Sequence, residues 1–349
     1  MSTVRISDVL RGCEVGQIQT VGFMQVIPLV SDVTFDHYVA PIARQVGNPG
    51  YANLTFDNSA NAEADMIVPA QMAVLTKQRA QDHSMTTAGW VAKKKNATFN
   101  SAVCIQQSQP GNIQASDDNR LIILPVTLRE SALKTRGGTE LGRLWPAIGE
   151  FLNETGVRST ASNLIAFLDQ YETQLDQFVA EFEPVTNQIG AIVLIGGKVV
   201  GVERAPNTKY WLQVWSMLIR ECYGSMAILE SRKAGGVPPV PKTRVELRQT
   251  KGRSFSEKIA DLKDALRTAK NLEYQRVKNL VDSVCESDLP VKTSGTSTGG
   301  KKVEDVGDVN ARFVGQLFRE NESVVYASLI STKHWKDNEE WLTAKPFSM

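Results

Sequence analysis

The chain predicts an α+β fold, and three observations carry that prediction. Short runs rich in β-branched and aromatic residues, each closed by Pro, Gly, Asn or Asp, dominate 17–128. Apolar residues then recur at three- and four-residue steps through much of 139–230. Two further β-type runs, 310–318 and 323–330, close the chain, so strands return to the body after a long excursion. The N-terminal half reads as an antiparallel β-rich sandwich or barrel, and the second half as helices and a hairpin.

In chain order, 17–30 mixes β-branched and aromatic residues in partial alternation, and 51–58 is bounded by Asn-Pro-Gly and Asp-Asn-Ser turns. Strand-length runs follow at 65–68, 72–76, 97–107 and 121–128. Leu141, Leu144, Trp145, Ile148, Phe151 and Leu152 predict a helix stopped by Gly156. A second helix starts near Ser159, carries Leu164, Phe167, Leu168, Tyr171, Leu175 and Phe178, and ends before Pro184. Two apolar β-branched runs around Gly196-Gly197 predict a hairpin. A third helix steps through Tyr210, Trp211, Val214, Trp215, Leu218, Ile219, Cys222 and Met226. The Trp211/Trp215 pair on one face reads as core packing.

The 349 residues carry 39 Lys+Arg against 38 Asp+Glu, with 42% apolar and 22% charged residues. That length fits two domains of roughly 100–200 residues, or one large domain with an insertion. The composition excludes wholesale disorder and collagen-like repeats. No window approaches the ~18–20 uninterrupted apolar residues of a membrane span. The first residues carry no apolar signal core, and Cys13, Cys104, Cys222 and Cys285 form no CxxC pair. Free thiols and a cytoplasmic location are therefore expected.

The even charge total conceals an acidic body and a basic arm. Residues 231–302 hold 16 Lys+Arg and 8 Asp+Glu, a net of +8, which leaves −7 for the remainder. Prolines at 238, 239 and 241 make an extended linker. Ser254-Phe255-Ser256-Glu257 has capping-box form. The helix after it bears Ile259, Leu262, Leu266, Ala269, Val277, Leu280 and Val284 on one stripe. Glu273 interrupts that stripe and requires solvent or a cationic partner. Residues 293–300 read as a flexible tether. One domain, 1–230 plus 303–349, with 231–302 inserted, is the expected organisation. The basic arm would bind a second copy or another protein, or contact nucleic-acid phosphates weakly and non-specifically.

Reactive side chains are densest at 77–84, Lys77-Gln78-Arg79-Ala80-Gln81-Asp82-His83-Ser84, just past the apolar run 72–76. His83 could shuttle a proton with Asp82 orienting its ring, and Arg79 could clamp a phosphate or carboxylate. The competing reading is a solvated loop whose polar groups cap backbone amides. No G-x-S-x-G elbow, HExxH, EF-hand loop, P-loop or G-x-G-x-x-G is present, so neither a metal nor a cofactor is expected. His37 and His334 stand alone.

Several stretches in order resemble one family: Met72-Ala73-Val74-Leu75; Gln78 to His83; Leu124-Pro125-Val126-Thr127-Leu128-Arg129-Glu130; Leu144-Trp145; Ser159-Thr160; Gln188 to Val193; Gly197 to Glu203; and Leu218 to Tyr223. The succession is similar to the ADP-ribosylglycohydrolase- and rhodanese-phosphatase-associated protein family of bacteria, phages and some eukaryotes. It covers about 20–230 and resumes at 324–329. The resemblance implies a context of NAD- or ADP-ribose-derived metabolites and host–virus conflict. Family members carry an Asp-Gly-Glu element followed by Gln-Asn-Arg, whereas 76–83 here lacks Asp-Gly-Glu. The positions that match are Gln78 or Gln81, Arg79, Glu130, Gln188 and Glu203.

Three functional classes follow. The first is a non-catalytic binding protein for an anionic ligand of the ADP-ribose kind, using Gln78, Arg79, Asp82, Gln188 and Glu203. The second is an enzyme on such substrates, with His83 as general acid/base and Glu130 or Glu203 as its carboxylate. The third is a phage-type assembly protein that uses its basic arm. Binding leads, because no complete catalytic constellation can be read.

Overall fold

The computed structural model describes residues 2–48, 50–77, 80–107, 111–135, 144–159, 162–236, 254–296, 300–308 and 310–332. Ten strands form one sheet, ordered Thr3–Arg5, Asp288–Thr296, Lys301–Val306, Phe313–Glu320, Ser323–Ser331, Lys198–Arg204, Gln188–Ile195, Met24–Val30 and Glu14–Val15, with Gln19–Val21 also on Met24–Val30. The chain is thus an α+β protein in which early and late strands meet in one sheet.

Alternation sets the layers. Met24 and Val26 face one side with Ala191, Val193 and Val200, while Ile27 and Leu29 face the other with Ile192, Leu194 and Val202. The first face is covered by the helices Trp145–Glu154, Leu164–Gln170, Glu172–Glu181, Thr208–Met217 and Gly224–Lys233. The second is covered by the C-terminal end of the helix Phe255–Cys285 together with Ile6 and Val9. Three smaller sheets complete the body. Ala102–Cys104, His83–Met85, Met72–Leu75 and Arg120–Ile123 form the one that matters for the site. The others are Gly89–Val91, Asp65–Val68, Tyr38–Val39 and Asn96–Phe99, Leu54–Asp57, Val46–Gly47.

Local signals show up where the chemistry is local. Gly196 and Gly197 have φ of +58° and +84°, the positive values that a two-residue I′ turn needs at both centres. Ser254 accepts from the Glu257 amide at 3.4 Å and donates its own N–H to Glu257 Oε2 at 2.7 Å, closing the capping box. Glu273 finds the cation it needs in Arg276, 3.9 Å away.

Elsewhere the elements differ from expectation. The run 17–30 is a hairpin turned at Gly22, and 97–107 divides between two sheets, as Asn96–Phe99 and Ala102–Cys104. The run 121–128 changes from strand to helix at Pro125, whose missing N–H suits a helix start and cannot extend a ladder. The second helix is broken at Tyr171, and Asn163 caps its first half by accepting from the Ile165 amide at 2.9 Å. The third is interrupted by a π-turn, Leu218–Tyr223. Part of the expected tether, through Thr296, is strand, hydrogen-bonded to Lys301–Val306. The linker 237–253 and the Trp-bearing tail 333–349 lie outside the described residues. All four cysteines are free. Among the described residues, no helix is long and apolar enough to cross a membrane.

Candidate functional site

One polar centre joins the helix Val126–Lys134 to the main sheet, a second lies within the four-stranded sheet and a third at its rim. The first surrounds Arg129. In the helix Val126–Lys134, Val126, Arg129 and Ala132 share a three-residue step and point inward. Arg129 is 1% exposed, and every guanidinium nitrogen has a partner. Nε donates to Gln71 Oε1 at 3.0 Å, Nη1 to Glu203 Oε1 at 2.8 Å and Cys222 Sγ at 3.6 Å, and Nη2 to Ser328 Oγ. Glu203, 3% exposed, also accepts from Tyr223 OH at 2.7 Å and Ser328 Oγ at 2.5 Å. Burial works against the Arg129 charge, yet the Glu203 carboxylate beside it raises its pKa well above the ordinary value. Burial pushes the Cys222 thiol up to about 12.

The π-turn makes this centre possible. Its extra residue per turn leaves all six side chains from Leu218 to Tyr223 buried. Cys222 and Tyr223 reach the Arg129–Glu203 pair, while Arg220 and Glu221 bond elsewhere. Gly201 on the facing strand has no Cβ, and one there would collide with the Tyr223 hydroxyl.

The second centre is His83, fully buried on the strand His83–Met85. Its Nδ1 donates to the Gln81 carbonyl at 2.7 Å, an assignment that makes Nε2 the acceptor. Asn48 Nδ2 and the Cys104 thiol each lie 3.2 Å from Nε2. Burial lowers the His83 pKa and pushes Cys104 up to about 11. At pH 7 thiol and imidazole are then both neutral. This pair holds a hydrogen bond in the ground state and is poorly set for nucleophilic attack.

The third centre lies at the rim. Arg120 pairs with Leu75 and His83 with Val74, so Arg120 and Asp82 sit at the same end of the sheet, two strands apart. Asp82 is buried and accepts from the Thr76 amide at 2.8 Å; burial pushes its carboxyl up to about 7. Arg120, with its side chain 42% exposed, bonds the buried Glu221, which Arg220 also holds at 2.6 Å. Arg220 in turn bonds Asp176. Burial pushes Glu221 up to about 7 despite Arg120 beside it.

The structure separates the residues that the sequence singled out. Among the described residues, the partners of His83 and those of Glu203 have no member in common. Glu130 turns outward to Lys134, 2.9 Å away, one helix position from the inward Arg129. Gln188 spends its amide on backbone, accepting from Val185 N and donating to Gly190 O, both at 2.9 Å. Gln78 and Arg79 lie outside the described residues. Among those described, no group of three His, Cys, Asp or Glu side chains could hold a metal. Sequence reasoning missed Arg129, Asn48, Cys104, Arg120 and Glu221. Only Arg129 left a signal, its place on the Val126–Ala132 stripe.

Two outcomes are expected. Arg129→Met should cost about 3–5 kcal/mol, because it strands a buried carboxylate, while adding Glu203→Gln should cost much less than the sum of the two single changes. Urea denaturation of the four proteins in the cycle measures that coupling, and additive effects would reject it. Because the folded pKa of Asp82 stands above its ordinary 3.8, the folded state binds the extra proton. Its stability contribution is complete below that value and is lost as pH rises to about 7. Stability should therefore fall across that window by at most about 1.4 kcal/mol per pH unit. Asp82→Asn should flatten the slope, and an unchanged slope would refute the assignment.

Neither the curated proteins nor the solved structures contain a significant match to this chain. A family profile does match, over residues 12–292: the ARG and Rhodanese-Phosphatase-superfamily-associated Protein domain. That span takes in all three polar centres except Ser328. The chain belongs to the ARG and Rhodanese-Phosphatase-superfamily-associated Protein domain family.

Proposed function

We propose that the protein binds an anionic, nucleotide-derived ligand of the ADP-ribose kind at the rim of the four-stranded sheet and does no chemistry on it. One observation carries this reading: Arg120 is held by a buried carboxylate yet keeps its side chain 42% exposed. A guanidinium has five donors in a planar fork, so one held from behind can still offer a pair to a phosphate. Lys77 and Asp82 stand just beyond the strands Met72–Leu75 and His83–Met85 at the same end of the sheet. Asp82, itself buried, fixes the start of the segment between those strands by accepting from the Thr76 amide at 2.8 Å. The family's name places its members beside enzymes of ADP-ribose and phosphate-ester chemistry.

ADP-ribose should raise the melting temperature by several degrees at millimolar concentration. Arg120→Ala should abolish the rise, and Arg120→Lys should leave only part of it. No shift with ADP-ribose, AMP or pyrophosphate would sink the reading.

A second reading, a hydrolase or transferase that uses His83, is favoured by the 3.2 Å approach of Cys104 to its Nε2. It is opposed by the burial of both groups and by a thiol raised to about 11. The native protein should therefore resist iodoacetamide at Cys104 at pH 7. Rapid labelling there, together with turnover lost in His83→Ala, would put catalysis first.

A further inference from the structure

The helix Phe255–Cys285 is 31 residues long, about 46 Å at 1.5 Å per residue. Its buried residues, Val277, Leu280, Val281 and Val284, all lie in the last third, against the sheet. The same face runs on toward the N-terminus as Phe255, Ile259, Leu262 and Leu266, spaced four, three and four apart. There it is bare: Leu266 is 51% exposed and Phe255 79%. Leu272 and Tyr274 widen the exposed strip. An apolar surface continuous over several turns marks an interaction site far more often than a solvated face.

The borders of the strip say what fits it. At 100° per residue, Lys258 and Arg276 lie along one edge and Lys263 and Lys270 along the other. Glu257, Asp261 and Asp264 fall toward the far side, and Glu273, within the stripe itself, is paired with Arg276 at 3.9 Å. Both edges are therefore basic. Two copies of this strip laid face to face would set lysine against lysine in either orientation, which is destabilising. A helix with apolar positions bordered by carboxylates would pair both edges and cover the centre.

We infer that residues 255–274 form a docking surface for a partner protein that presents an amphipathic helix with acidic borders. Hydrophobic burial supplies the attraction, and the lysine borders select the partner.

The test uses the full chain and two designed peptides of three leucine heptads, one bordered by Glu and one by Lys, read by fluorescence anisotropy. The Glu-bordered peptide should bind, and its affinity should fall at least about tenfold between low and high salt as the charges are screened. The Lys-bordered peptide should not bind. Leu262→Asp/Leu266→Asp, two exposed positions, should abolish binding with the melting temperature unchanged. Equal binding of both peptides, or of neither, overturns the inference. So does a dimer in light scattering that this double variant dissociates, since the strip would then belong to a second copy. Sedimentation with phosphatidylserine vesicles in place of peptide binding would assign it to a membrane surface and overturn the inference equally.

Discussion

The rest of the structure depends on a single charge pair, Arg129 with Glu203, 2.8 Å apart and shut away from water. Removing two ions from water costs several kcal/mol each, which is recovered only if the remaining donors and acceptors are also satisfied. Here they come from far apart in the chain: Gln71, Cys222, Tyr223 and Ser328. Cys222 and Tyr223 come from the π-turn, Ser328 from the main sheet and Gln71 from the turn before Met72–Leu75, so the pair is satisfied only when these pieces and the helix Val126–Lys134 are all in place. An apolar core could hold these elements together with more tolerance. A guanidinium with directed donors accepts one arrangement.

That demand accounts for features that would otherwise be local oddities. A regular helix through 208–233 would turn Cys222 and Tyr223 away from where Arg129 needs them, and the π-turn supplies the extra residue. A side chain at Gly201 would keep the tyrosine out. Having spent Tyr223 and Cys222 inward, the turn presents Arg220 and Glu221 to the rim, where Glu221 holds Arg120. The buried pair and the proposed ligand site are thus opposite faces of one irregular turn, and a change at either is felt at the other through it.

How much of this was legible depended on the range of the interaction. The Gly196-Gly197 turn and the Ser254 box are short-range, and each was read correctly from a few adjacent residues. The strand 72–75 was legible because burial on both faces makes it a continuous apolar run. The Arg129–Glu203 pair spans 74 residues and its link to Ser328 spans 199, so no window of sequence contains it. Glu130 attracted attention as a carboxylate in a resembling stretch, whereas its neighbour was the buried one. Helical phase, not residue type, separates the two. Cys104 and Asn48 looked unremarkable because each becomes polar-active only beside His83, which the strand pairing of His83 with Cys104 decides.

The same contrast bears on chemistry against binding. Catalysis at neutral pH needs groups poised near their pKa with access to a substrate. His83 and Cys104 are pushed apart by burial, the imidazole down and the thiol up, so the protonation states that would react are the ones the core disfavours. The groups brought near neutrality are instead the buried carboxyls of Asp82 and Glu221, and Glu221 is bonded to an arginine whose side chain reaches solvent. The cation left facing solvent is an arginine fixed from behind by a buried carboxylate, and that contrast with the shielded His83–Cys104 pair is the ground for the binding reading proposed above.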